Sequence, residues 1–180
     1  MFVTRVLVSL FEFVLTVVMS GVAIAFTFRI FIRANPDFDM GSEIKKGNVA
    51  VGTLMAAILY AASEILQRGL SSVVSMVRLE MTAPGGTGFP RWELGLIAAS
   101  HLIVALMVAL LTISVTLRLF GKMTRPIMRA GKELEAGNVA VGIVLGAVVL
   151  VAAMYVGEGV SSLSKALVPQ PSVGRVHILE

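Results

Sequence analysis

The chain has 180 residues, of which 57% are hydrophobic and 14% charged, with a mean hydropathy of +0.91. A soluble domain carries about 25% charged residues, so the composition excludes an ordinary soluble protein and places the chain in lipid. With no cysteine and two histidines, His101 and His177, the sequence excludes a disulfide framework, a Cys-ligated metal and a multi-histidine zinc site, and no cofactor is expected. The formal charge is +4. The basic residues sit between apolar runs, which points to membrane topology and not to nucleic acid.

The first apolar segment runs from Val6 to Phe28 and carries one charge, Glu12. Arg5, the apolar run and Ala23-Ile24-Ala25 imitate a signal peptide. The run is too long for one, and it has a partner later in the chain. A polar connector covers 29–46, with a turn signal at Asn35-Pro36-Asp37 and an amphipathic lead-in from Gly41 to Lys46. The second segment opens at Gly47 and is uncharged to Ser63. The spacing predicts that it continues as helix past Arg68 towards Met76. Then comes Ala83-Pro84-Gly85-Gly86-Thr87-Gly88-Phe89-Pro90, too rich in Pro and Gly for regular structure. No strand precedes these glycines and no lysine follows, so they are no nucleotide loop. Trp92 stands where an interfacial anchor is expected. The third segment, Leu94 to Leu117, is interrupted only by His101. The connector 118–136 is the most basic. The fourth segment starts at Gly137, carries no charge until Glu158 and runs to about Leu167; Pro169 and Pro171 end it, and a polar tail follows.

Gly47-Asn48-Val49-Ala50-Val51-Gly52 recurs as Gly137-Asn138-Val139-Ala140-Val141-Gly142, offset by 90. Gly69-Leu70-Ser71-Ser72 matches Gly159-Val160-Ser161-Ser162 at the same offset. Phe26-Thr27-Phe28-Arg29-Ile30-Phe31 matches Val115-Thr116-Leu117-Arg118-Leu119-Phe120 at 89. The expected architecture is four transmembrane helices as two parallel tandem hairpin repeats. The boundaries are 1–78 and 92–168 for the repeats, 79–91 for the linker and 169–180 for the tail. Two spans per repeat relate the repeats by an axis along the membrane normal. The connectors 29–46 and 118–136 hold nine of the fifteen Lys and Arg, which predicts that they are cytoplasmic and both termini are outside.

The two Gly-Asn-Val-Ala-Val-Gly motifs, each opening the second helix of a hairpin, resemble the bacterial domain-of-unknown-function 350 family of small inner-membrane proteins, over about residues 8–166. The resemblance implies paired membrane helices, usually present twice, and an association with envelope and membrane-stress genes. It implies no reaction or substrate.

Equivalent positions near a pseudo-twofold axis face each other. The offsets then set Glu12 opposite His101 and Arg68 opposite Glu158, with Glu64 one turn from Arg68. All five are expected in the outer part of the membrane, near Tyr60, Gln67, Ser100 and Tyr155. Glu12 and His101 form either a static pair or part of a proton or ion pathway. Arg68 and Glu158 either pair or simply reach the headgroups. Asn48 and Asn138 act either as helix N-caps or as a polar pair near the axis. Gly52-x-x-x-Ala56, Ala57-x-x-x-Ala61, Gly142-x-x-x-Gly146 and Ala153-x-x-x-Gly157 give the second and fourth helices close-contact faces. Those two helices should form the core, with the first and third lying outside them. Arg118, Lys122, Arg125 and Arg129 serve as topology signals or as contacts to anionic headgroups.

No catalytic constellation is visible, so an enzyme is not expected. The partner is the lipid bilayer, together with further copies of the chain or another membrane protein. One reading is a structural or assembly subunit of the inner membrane, in envelope homeostasis. The alternative is a small-ion or small-solute channel or transporter built on the outer polar layer.

Overall fold

The computed structural model describes residues 2–34, 39–82 and 90–167. Residues 83–89 of the expected 79–91 linker, the turn signal at Asn35-Pro36-Asp37, His177 and the 169–180 tail lie outside the described residues, while 79–82 and Arg91 belong to helices. The described chain is α-helical. It forms α1 (Phe2–Ala34), α2 (Met40–Lys45), α3 (Val49–Thr82), α4 (Arg91–Thr124), α5 (Ala130–Glu135) and α6 (Val139–Leu167). Four of them, α1, α3, α4 and α6, are long and apolar enough to cross a membrane. α1, α3 and α4 run past the ends of their sequence-predicted segments, whereas α6 ends at the expected Leu167. At 1.5 Å per residue the 34 residues of α3 extend roughly 50 Å, against about 30 Å of hydrocarbon. Pro90 stands at the start of α4 and Pro126 just past its end, where a missing N–H does no harm to the helix ladder.

The two short helices are built by the repeated sequence. Asp39 caps α2, accepting from the Ser42 N–H at 3.1 Å. At the C-terminus Gly47 takes φ +80°, its N–H donating to the Ile44 carbonyl and that of Asn48 to the Glu43 carbonyl. Two such bonds, with a left-handed glycine between them, are a Schellman stop. α5 ends the same way: Gly137 has φ +82°, and Gly137 and Asn138 donate to Leu134 and Glu133. A side chain at either glycine would meet the steric penalty of left-handed backbone.

α3 is the centre. Within the apolar window of each long helix the buried share is 56% for α3, 33% for α6, 17% for α4 and 11% for α1. α3 and α6 run in the same direction: Gly142 lies on Ala50 at one end, and Arg68 meets Glu158 at the other. α1 and α4 run antiparallel to α3, as Glu12 against Arg78 and Ala105 against Gly69 show. Lipid is as apolar as leucine, so burial alone does not drive these helices together; close packing does. A Cβ on Gly142 would overlap the Ala50 carbonyl, and one on Gly146 would stand 3.0 Å from the Ala57 methyl. Absence of those side chains lets the backbones approach, and Val51, Ile58, Ile65 and Val149 interlock fully buried beside them. α4 adds Ala105, Ala109 and Ile113, one face at four-residue spacing. α1 packs on α3 through Ala23, next to Leu66, and has no comparable seat on α6.

Candidate functional site

The polar groups collect at three levels. At the Asn48 end of the bundle, the Asn48 Oδ1 accepts from the Val51 N–H at 3.2 Å and so caps α3. Its amide donates to Glu43 Oε2 at 3.0 Å and crosses to the carbonyls of Leu134 at 2.9 Å and Glu135 at 3.3 Å. One side chain therefore both caps α3 and ties it to the end of α5. Glu43 also holds Lys46 Nζ at 2.6 Å. The hydrogen bond from Lys46, aided by that from Asn48, keeps the Glu43 carboxyl below its ordinary range, and Lys46 is raised by the same bond to Glu43. Asn138 repeats the cap, with the Val141 N–H at 3.4 Å, and bonds Glu133 Oε2 at 2.8 Å. Its amide has no cross-chain bond among the described residues. Arg118, Lys122, Arg125 and Arg129 are exposed around this end, on the last turns of α4 and the approach to α5.

At the middle level, Arg68 Nη1 lies 3.2 Å from Glu158 Oε1. Arg68 adjoins Gly69, and Gly69 lies on Ala105, the midpoint of the apolar run Leu94 to Leu117. Glu158 is 72% exposed. Glu64 makes no ion pair with Arg68 or with any other group among the described residues.

At the third level Glu12 and His101 do not meet. Glu12 Oε2 takes the Arg78 guanidinium at 3.0 Å. The His101 Nδ1 donates to the Ile97 carbonyl at 2.8 Å, and its Nε2 is buried with no hydrogen-bond partner. The pairing fails because α1 and α4 do not pack face to face; each lies on α3 separately. Between α1 and α3 runs a cleft of about 250 Å³, lined by Glu12, Thr16, Gln67, Ser71, Ser75 and Arg78 among its polar groups. The Thr16, Ser71 and Ser75 hydroxyls donate to carbonyls one turn back, those of Glu12, Gln67 and Ser71. Their lone pairs are what they offer the cleft.

A family profile described as Domain of Unknown Function (DUF350) matches residues 4–160. The chain belongs to this family. No curated protein and no solved structure matches it. DUF350 membership covers all four long helices, and the Gly-Asn motif in this DUF350 chain is an interhelical stop and cap with a tie across to α5 in one copy.

The side chains the sequence reading left out are Arg78, Ser71, Ser75 and Thr16. Gln67, Ser71, Ser75 and Arg78 follow one another at spacings of four, four and three, a polar stripe on one face of α3. That periodicity was visible in the sequence and was the available signal. Tyr60 and Tyr155 are exposed and take no part in any of the three levels.

Proposed function

We propose that this is a non-enzymatic, multi-pass assembly subunit of the bacterial inner membrane, serving envelope homeostasis as a homo-oligomer or a docking partner. One observation carries the reading: the polar levels are separated by a closed apolar core. Between Asn48 and Arg68, twenty residues or roughly 30 Å of helix, the α3–α6 contact is filled by side chains such as Val51, Leu54, Ile58, Leu145 and Val149, all buried. No polar line runs through it for an ion or solute to follow. The nine basic residues of 29–46 and 118–136 support a cytoplasmic position for the Asn48 end and an outward position for both termini. The two hexapeptides, with matching glycine conformations and caps, support reading the halves as tandem repeats.

A second reading rests on the α1–α3 cleft, where Glu12 and Arg78 present opposite charges beside hydroxyl oxygens. It makes the protein a carrier or channel for a small solute. Purified protein in liposomes separates the two. The assembly reading expects no proton or ion flux above empty vesicles, with Glu12→Gln changing thermal stability only. Flux that Glu12→Gln or Arg78→Ala abolishes overturns it in favour of the cleft.

A further inference from the structure

Apart from the Arg68–Glu158 pair, which joins equivalent positions, the close backbone approaches between the two halves are one-sided. Ala50 is fully buried beneath Gly142. The equivalent pair is Ala140 and Gly52: Ala140 is exposed, and a Cβ on Gly52 would meet nothing within 4 Å. Gly69 lies under Ala105, whereas a Cβ on Gly159 would meet nothing, and Thr16, the equivalent of Ala105, is exposed. Asn48 reaches across to α5; Asn138 does not. A twofold relation would make each of these contacts twice. The halves meet instead by unlike faces, a heterologous contact, which leaves one unused face of each kind on the same molecule.

From this we infer that a second copy of the chain fills the vacancy, its α1–α3 half docking on α6 as α4 and α6 dock on α3 within one chain. The inference rests on the assembly reading and specifies its interface. In this arrangement α1 of one copy lies over Gly159 of the next, Thr16 standing where Ala105 stands on Gly69. Gly52 lies over Ala140, and the Asn138 amide donates to the carbonyls of Ile44 and Lys45, the equivalents of Leu134 and Glu135. The docking faces match in kind. α4 buries Ala105, Ala109 and Ile113, and the equivalent face of α1 is Thr16, Ser20 and Ile24, all exposed. Small hydroxyl residues of this sort seat membrane helices against each other.

A second observation favours protein on that face. Glu158, next to Gly159, is 72% exposed within the apolar span Val139–Leu163. A carboxylate facing hydrocarbon there is costly, and such groups are found turned towards protein. Docking α1 covers it and sets the Thr16 and Ser20 hydroxyls beside it, while Glu12, one turn from Thr16, arrives with its charge already held by Arg78. Repetition of one heterologous contact closes into a ring or continues as a filament, according to the rotation per copy.

The chain has no cysteine, so single cysteines report the contact without background. Two differently tagged copies, one Thr16→Cys and one Ser162→Cys, are co-expressed in membranes and treated with a short bis-maleimide. The expected product is the mixed dimer, with no self-dimer from either variant alone. Gly159→Leu, whose added side chain meets nothing inside its own chain, removes the mixed dimer and leaves the monomer's melting temperature unchanged. A Ser162→Cys self-dimer, an internal link in a chain carrying both cysteines, or no mixed dimer overturns the inference. Photobleaching step counts in supported bilayers tell the two failures apart. Several steps without the mixed dimer sink this interface and leave the assembly reading; single steps sink this interface together with the homo-oligomeric form of that reading.

Discussion

Asn48 and Asn138 occupy the same place in the same hexapeptide, and the structure predicts unequal costs for losing them. Each caps its long helix, and an N-cap replaced by alanine costs about 1 kcal/mol. Asn138 adds one local bond to Glu133. Asn48 adds the bonds to the Leu134 and Glu135 carbonyls, which hold α3 to the end of α5. Its amide has two hydrogens shared over three acceptors, so at most two bonds are lost, each about 0.5–1.5 kcal/mol net. Asn48→Ala should therefore cost about 2–4 kcal/mol, and Asn138→Ala about 1.5–2.5 kcal/mol, in the isolated chain. Asp caps a helix as well as Asn does and cannot donate. Asn48→Asp should thus remain destabilising by more than Asn138→Asp. The assay is reversible unfolding of monomer by SDS titration in mixed micelles at high dilution, where contacts between copies are absent. Equal losses for the two alanine variants would refute the crossing tie and reduce both residues to caps. If copies dock as inferred, the order reverses for association: Asn138→Ala should weaken the dimer and Asn48→Ala should not.

Gly142 and Gly52 should respond to alanine with opposite signs. Gly142→Ala forces a methyl into the Ala50 carbonyl, an overpacking cost of about 1–3 kcal/mol, whereas Gly52→Ala meets open space and gains up to about 1 kcal/mol from helix propensity; monomer unfolding measures both, and the same sign at both sites would contradict the packing. Acid should loosen the Glu43 tie. The Glu43 carboxyl is lowered by Lys46 and Asn48, so its contribution is present above the ordinary value of 4.5 and is lost as pH falls below that through the lowered folded value. The raised Lys46 contributes below 10.5 and is lost as pH rises through its folded value. In Glu43→Gln the stability profile should flatten on the acid side, read as melting temperature against pH; an unchanged acid limb would contradict the assignment.

Several features were legible in the residues alone. Four apolar runs of about 20 residues, the first carrying only Glu12, specify four membrane helices, because in lipid only a helix satisfies its own backbone. Gly47 and Gly137 ahead of Asn48 and Asn138 specify a stop followed by a start, because that chemistry is local. The small-residue faces of α3 and α6 identified the central pair. The pairing of Arg68 with Glu158 followed from their equivalence, since both sit on helices that touch along their length.

Only the tertiary structure decided where the two halves depart from symmetry. Sequence equivalence placed Glu12 opposite His101, on the assumption of a common axis. The halves instead meet by unlike faces, α1 stays on α3, and Glu12 finds Arg78. Local sequence determines what each helix is and where it stops. Which face it turns to its neighbour depends on which backbones come close, and at Gly142 the missing side chain lets the backbone lie on Ala50 of the other half.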